Sequence, residues 1–344
     1  ARPLRRALAD TRRRGVPDLR ARTPVIVRWG LDELDGLLAE LGIARPFVVA
    51  SERWDELALP SADRWTEVPT DRIPDVATAA AEADGLLAVG GGSAIDLAKA
   101  VSAETGLPLL SVPTTYSGAE WTGFFGVRDP GRRMKGGGAG AHLAGIVYEP
   151  RLTLDLPRDQ SGGTALNALS HCAEALYVAG HNPEGDREAL TGARLIDEAL
   201  PQVFAAGHDL DARTRLLQGA QHAGAALGSA GLALGHAMAQ ALGGRYGIAH
   251  GAANALCLPP ALRFNQPVAA EAIGRFGEAL GVDDPAARVE ELARASGFTR
   301  LRELGVPEDE LDDVAAAVVQ RAGAKANPRP ASPAEVEELL RSIW

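Results

Sequence analysis

An α/β domain followed by an all-helical one is the fold class this sequence predicts, on three observations. Short β-branched runs alternate with helical stretches up to about residue 155. From Ser161 onward the chain is Ala- and Leu-rich, with helical periodicity and few β-branched runs. In the first half a strand-like run, GLLAV, passes straight into Gly90, Gly91 and Gly92 and then a helix. The expected division is an arm over 1–22, an α/β domain over 23–158 and a helical domain over 159–344. At 344 residues the chain is long for one core.

The elements follow in order. TPVIVRWG carries the first strand-like run, and LDELDGLLAELG has helical spacing that ends on Gly42, a good residue just past a helix. RPFVVAS, GLLAVGGGS, LPLLSVPTT and LAGIVYEP read as further buried strands. After DLPRDQSGG the stretches SGGTALNALSHCAEALYVAG, GDREALTGARLIDEALPQVFAAG, RTRLLQGAQHAGAALGSAGLALGHAMAQALGG and AEVEELLRSIW read as helices. The boundary is short, so the two domains are expected to close on a cleft.

Composition narrows the function classes. A net charge of −10 argues against a nucleic-acid partner. No apolar run reaches membrane-spanning length, and no signal peptide is visible. Three lysines against 32 arginines make the Arg-rich start a matter of base composition rather than targeting. Cys172 and Cys257 form no CxxC pair and fit a reducing compartment, so a cytoplasmic location is expected.

GLLAVGGGSAIDLAKA is the most informative stretch of the first half. Glycines admit close approach of a ligand to the backbone, and a helix N-terminus favours phosphate. Ser93 is read as the helix N-cap, and Asp96 and Lys99 on the following helix strengthen the phosphate reading over a plain tight turn. The spacing is neither GxGxxG nor a Walker A loop. Thr114, Thr115 and Ser117 lie just past the next strand, where open α/β sheets bind ligands. In the helical half, Asn167 and His171 stand four apart on one helical face. His236 and His250 sit nearby in the chain, whereas His142, His181, His208 and His222 have no suggestive company.

With these motifs in view, the sequence resembles the iron-containing (group III) alcohol dehydrogenases, and within them the maleylacetate reductase branch. The anchors are GGGSAIDLAK, VPTTYSGAE, TALNALSHCAEALY, GHAMAQALGGRYGIAHGAANALCLPP and the near-terminal NPRP, and the likeness runs from about Pro24 to Trp344. The fold this implies is an α/β N-terminal nucleotide-binding domain plus an all-α C-terminal domain, of the dehydroquinate synthase-like kind, with the active site between them. By resemblance, Gly91, Gly92 and Ser93 would hold the pyrophosphate of NAD(H) or NADP(H). Asp96, Thr114, Thr115, Ser117 and Lys135 would line the rest of the cofactor site. Ser51 and Arg53, after the strand RPFVVA, leave NAD and NADP equally open.

In metal-dependent members an aspartate and three histidines hold iron or zinc, and these positions match Asn167, His171, His236 and His250. An amide carries no charge for a divalent ion, and maleylacetate reductases similarly carry asparagine there and are regarded as able to work without metal. Gln240 stands where the family often has a proton-delivering histidine, and Asn254 where maleylacetate reductases often have a second one. The expected function is an NAD(P)H-dependent reductase of a small, carboxylated carbonyl compound, with the three histidines stabilising the oxyanion and Arg245 and Tyr246 gripping a carboxylate. One alternative is a zinc- or iron-dependent alcohol dehydrogenase. Another is a non-redox lyase or cyclase on the same scaffold. The resemblance also implies a homodimer.

Overall fold

The structure is a computed structural model that describes residues 25–61 and 63–344. The arm expected over 1–22 lies outside the described residues. Five strands stand where the sequence predicts them: β1 (Ile26–Trp29), β2 (Pro46–Val49), β4 (Gly85–Gly90), β5 (Pro108–Pro113) and β8 (His142–Tyr148). A short β3 (Arg64–Trp65) joins them in one parallel sheet of order β1-β8-β5-β4-β2-β3. All six residues of β4 are buried, which explains why the strand reads as one continuous apolar run rather than an alternating one.

The register of the sheet sets up the ligand edge. Gly90 at the end of β4 pairs with Pro113 at the end of β5, and the Thr114 N–H donates to the Gly90 carbonyl at 3.0 Å. The two loops therefore leave the sheet side by side at its C-terminal edge, the position at which such sheets bind ligands. Helix α1 (Leu34–Glu40) follows β1, α2 (Ile73–Ala79) precedes β4, and α3 (Gly92–Thr105) follows the glycines. Gly42 takes φ +71° just past α1, as its placement in the sequence suggests.

An antiparallel hairpin of β6 (Phe124–Arg128) and β7 (Met134–Ala139) is absent from the sequence reading. The second strand is MKGGGA, fully exposed and glycine-rich, so neither propensity nor alternation marks it. The hairpin is seated by Lys99, which differs from the phosphate role expected of it. The Lys99 side chain is buried and its ammonium donates to the carbonyls of Ala119 (2.9 Å) and Phe124 (2.7 Å) and pairs with Asp96 at 2.8 Å.

The rest of the chain is helical: α4 (Arg158–Ala175), α5 (Pro183–Ala205), α6 (Leu210–Ala230), α7 (Leu234–Tyr246), α8 (His250–Asn265), α9 (Ala270–Ala279), α10 (Pro285–Ala295), α11 (Leu311–Val318), α12 (Ala322–Ala326) and α13 (Pro333–Ser342). The long helical stretch through GSAGLALGH breaks at Gly231, whose φ of +103° ends α6. No described helix is long and apolar enough to cross a membrane. Small residues bring α4 and α8 into backbone contact, since a Cβ on Gly251 would stand 2.4 Å from the Gly163 carbonyl carbon. The loop after β5 locks onto the helices. The Tyr116 N–H donates to Thr164 Oγ1 (3.3 Å), the Tyr116 hydroxyl bonds the buried Arg213 (3.1 Å), and a Cβ on Gly224 would overlap the Trp121 ring.

Candidate active site

Asn167 and His171 lie one turn apart on α4, both buried, with Ser117 of the sheet half packed over them. Asn167 Nδ2 donates to the Ser117 carbonyl at 2.9 Å, and its Oδ1 accepts from Asn254 Nδ2 at 2.7 Å. Asn254 Nδ2 also donates to the His250 carbonyl at 3.2 Å. Backbone carbonyls thus fix the orientation of both amides. Gly118, at φ +72°, allows the loop to come this close, because a Cβ there would stand 3.4 Å from His171 Nδ1.

The three histidines come together from α4, α7 and α8. The rings of His171 and His236 stack at 4.8 Å between centroids, and His236 and His250 lie 5.7 Å apart. Burial, then the neighbouring His236 and His250, hold His171 well below the usual imidazole range. Burial, His236 and the Arg128 guanidinium push His250 down to about 3. Both rings are therefore neutral at neutral pH and act as hydrogen-bonding groups rather than as cations.

Glu174 is the residue that sequence reasoning missed. It is fully buried, one turn past His171, and accepts at 2.7 Å from the Ala233 N–H, at 3.1 Å from the His236 N–H and at 2.7 Å from His236 Nδ1. The carboxylate thus satisfies the free N–H groups at the start of α7 and takes the Nδ1–H of His236. Gly235 makes room for it, because a Cβ there would stand 2.9 Å from Glu174 Oε1. His236 is left to present Nε2 to the cluster, and Nε2, His171 Nδ1 and Asn254 Oδ1 are buried without a hydrogen-bond partner. Such orphans are uncommon and mark a place for a ligand.

The donor set fits a resident divalent ion poorly. Asn167 contributes no charge and its oxygen already accepts from Asn254. His171 and His236 stack face to face rather than converging, and among the described residues no group of three or more His, Cys, Asp and Glu is arranged to hold a metal.

A nicotinamide cofactor fits better. Helix α3 begins at Gly92 with Gly91 as its N-cap and no capping side chain, which corrects the assignment of Ser93 to that position. Ser93 lies within the first turn, where its N–H is among the free donors that favour a phosphate. Thr115 and Ser117 flank the loop: their hydroxyls are 3.4 Å apart, and Ser117 Oγ is 3.6 Å from where a Gly92 Cβ would be. Thr114 is buried at the end of β5. Asp96 is engaged by Lys99 and by the Gly126 N–H at 3.2 Å, and Lys135 pairs with Asp129 at 3.2 Å on the hairpin. Ser51 and Arg53 line an open groove of about 490 Å³ with Thr66 and Glu67 at the end of β2.

Two expected site residues stand elsewhere. Arg245 is held by Glu310 (2.7 Å) and Asp313 (3.0 Å), and the Tyr246 hydroxyl donates to Glu310 at 2.9 Å. Both belong to a surface network between α7 and α11 and have no charge left for a substrate. Gln240, one turn past His236, stays on α7. Of the remaining histidines, His222 is paired with Glu188 at 2.6 Å on the outer faces of α5 and α6.

Comparison with known proteins gives the family. Residues 24–144 match the sequence model of iron-containing alcohol dehydrogenases, and residues 162–344 match that of the C-terminal part of the Fe-containing alcohol dehydrogenase family. The maleylacetate reductase of Burkholderia cepacia is 38% identical over 263 residues, 76% of this chain and 74% of the relative. Maleylacetate reductase 1 of Cupriavidus pinatubonensis is 35% identical over 318 residues, covering 88% and 89%. The crystal structure of maleylacetate reductase from Agrobacterium tumefaciens superposes with a TM-score of 0.84 at 28% identity, covering 96% of this chain and 98% of that one.

Proposed function

This chain belongs to the iron-containing alcohol dehydrogenase family, and on that premise we propose that it reduces a small carboxylated carbonyl compound, maleylacetate or an analogue, in the cleft between its two halves. It is an NAD(P)H-dependent oxidoreductase. The observation that carries the reading is the cluster of buried Asn167, His171 and His236 with the half-buried His250 at the edge of the sheet that bears the glycine loop. A homodimer, which rests on the resemblance, and a cytoplasmic location, which rests on the two unpaired cysteines, belong to the same reading.

The chemistry follows from the residues. The free N–H groups at Gly92 and Ser93, with the Thr115 and Ser117 hydroxyls, would hold the cofactor pyrophosphate, and Ser51 and Arg53 would lie by the adenosine end. When bound, the dihydronicotinamide supplies the hydride. Attack at a carbonyl carbon, or at an alkene carbon conjugated to it, drives an electron pair onto the carbonyl oxygen. His171 and His250, neutral and partly or wholly out of water, offer N–H groups to that oxygen. His236, fixed by Glu174, holds or hands on the proton at Nε2. A protein-held dipole set of this kind does the work that a metal does elsewhere in the family.

The test is turnover of chelator-treated protein. It is expected to consume NAD(P)H on addition of maleylacetate at a rate within about twofold of untreated protein. A loss of activity restored only by zinc or iron would favour the metal-dependent alcohol dehydrogenase instead. The lyase or cyclase alternative has no support among the relatives compared, whose names are those of reductases.

A further inference from the structure

Arg213 is buried outside the histidine cluster, only 2% exposed, at the start of α6, where the helix dipole disfavours a cation. Its five N–H groups all have acceptors, and none of these is a carboxylate. Nε donates to the Gly207 carbonyl at 2.8 Å. Nη1 donates to Ser161 Oγ at 2.7 Å and to the Tyr116 hydroxyl at 3.1 Å. Nη2 donates to the carbonyls of Leu154 (3.3 Å) and Leu156 (3.2 Å). Burying a guanidinium costs desolvation, which neutral oxygens offset best when every donor is used. Lysine could not take its place, because a compact ammonium cannot reach acceptors spread around a planar fork.

The acceptors lie where the two halves of the chain meet. Leu154 and Leu156 are on the passage from β8 into α4, and Ser161 is near the start of α4. Tyr116 is on the loop after β5, fully buried, between Thr115 and Ser117. Those two neighbours face the glycine turn. Their hydroxyls are 3.4 Å apart, a Gly91 Cβ would meet Thr115 Cγ2 at 2.8 Å, and a Gly92 Cβ would lie 3.6 Å from Ser117 Oγ. The Tyr116 N–H is held as well, by Thr164 Oγ1 of α4 at 3.3 Å. The helices thus grip the loop at the residue whose neighbours on both sides face the ligand edge of the sheet.

We propose that Arg213 is a positioning residue of the cofactor cleft. By binding the Tyr116 hydroxyl while its other donors hold the passage from β8 to α4, it fixes Thr115 and Ser117 against the glycine turn. This role rests on the cofactor lying at that turn, as in the reading above, and adds a residue that touches neither cofactor nor substrate. Hydrogen bonds from a buried cation are stronger than neutral ones, so the loop is held in one place before the cofactor arrives.

The test separates positioning from general support of the fold. NAD(P)H is titrated into each variant well below its melting temperature and followed by nicotinamide fluorescence. Tyr116→Phe keeps the ring and removes the hydroxyl, and it is expected to weaken cofactor binding about fivefold. Arg213→Lys, which keeps the charge and loses the fork, is expected to weaken it at least as much. Ser161→Ala removes the other Nη1 acceptor, on the helical side. It is expected to lower the melting temperature but to leave cofactor affinity within about twofold of wild type. Unchanged affinity in Tyr116→Phe overturns the proposal. So does an equal loss in Ser161→Ala, which would make the network a support of the fold alone. Gly91→Ala is titrated beside them. An unaltered affinity there takes the cofactor away from the glycine turn, while Tyr116→Phe against Ser161→Ala still decides the role of Arg213.

Discussion

Single atoms decide what this pocket can do. At Asn167 an amide nitrogen faces the Ser117 carbonyl where a carboxylate would present a second oxygen, so the neutral side chain is written into its surroundings as well as into the sequence. Asn167 and His171 were singled out by their spacing and by the resemblance, and the resemblance set His236 and His250 beside them; the structure brings the three histidine rings together. Glu174 was not: it stood in the same quoted helix, but its partner, His236, is 62 positions away, and only the fold brings them together. Arg245 and Tyr246 were misjudged for the mirror-image reason, since Glu310 and Asp313 claim them from a distant helix. Glu120 yields a prediction at this scale. It is buried, accepts from the Tyr148 hydroxyl at 2.7 Å and leaves Oε2 unpartnered. Burial raises its pKa, so it favours folding fully only below about pH 4.5, and that contribution is lost as pH rises toward the folded value. Glu120→Gln should therefore gain stability over wild type as pH is raised from about 4.5, by at most about 1.4 kcal/mol per pH unit. Denaturant melts across pH 4 to 8 (about that window) check it. A difference that stays constant with pH would mean Glu120 ionises freely in the fold.

At the level of elements, the parallel strands were readable because buried strands are apolar without interruption, and the helices because their periodicity is regular. The β6–β7 hairpin escaped because its second strand is exposed glycine, held from beneath by Lys99. The glycine turn into a helix was legible in the sequence, but its cap is Gly91 rather than Ser93. In the proposed cofactor site the close turn depends on Gly91, whose ordinary φ of −82° would accept alanine but whose Cβ would then meet Thr115 Cγ2 at 2.8 Å. Gly91→Ala should displace Thr115 and weaken NAD(P)H binding at least about tenfold while leaving the far-ultraviolet circular dichroism unchanged. Fluorescence titration of the cofactor measures it, and an unaltered affinity would remove the loop from the cofactor site.

Across the whole molecule, the two halves are joined through the loop after β5. That loop places Thr115 and Ser117 at the glycine turn, Tyr116 against Arg213, and Gly118 against His171 within a few residues. One segment thereby links the cofactor edge of the sheet to the histidines of the helices. The order of motifs predicts a cleft between the halves, whereas the β6–β7 hairpin has no signature in the sequence. The central claim is that this cleft carries hydride from a nicotinamide to a carbonyl compound. Its most direct test is turnover of maleylacetate with NAD(P)H bearing deuterium at both C4 positions, followed by mass spectrometry of the product. Deuterium bonded to carbon in the product is the expected result. A product formed without deuterium would contradict hydride transfer and return the scaffold to non-redox chemistry.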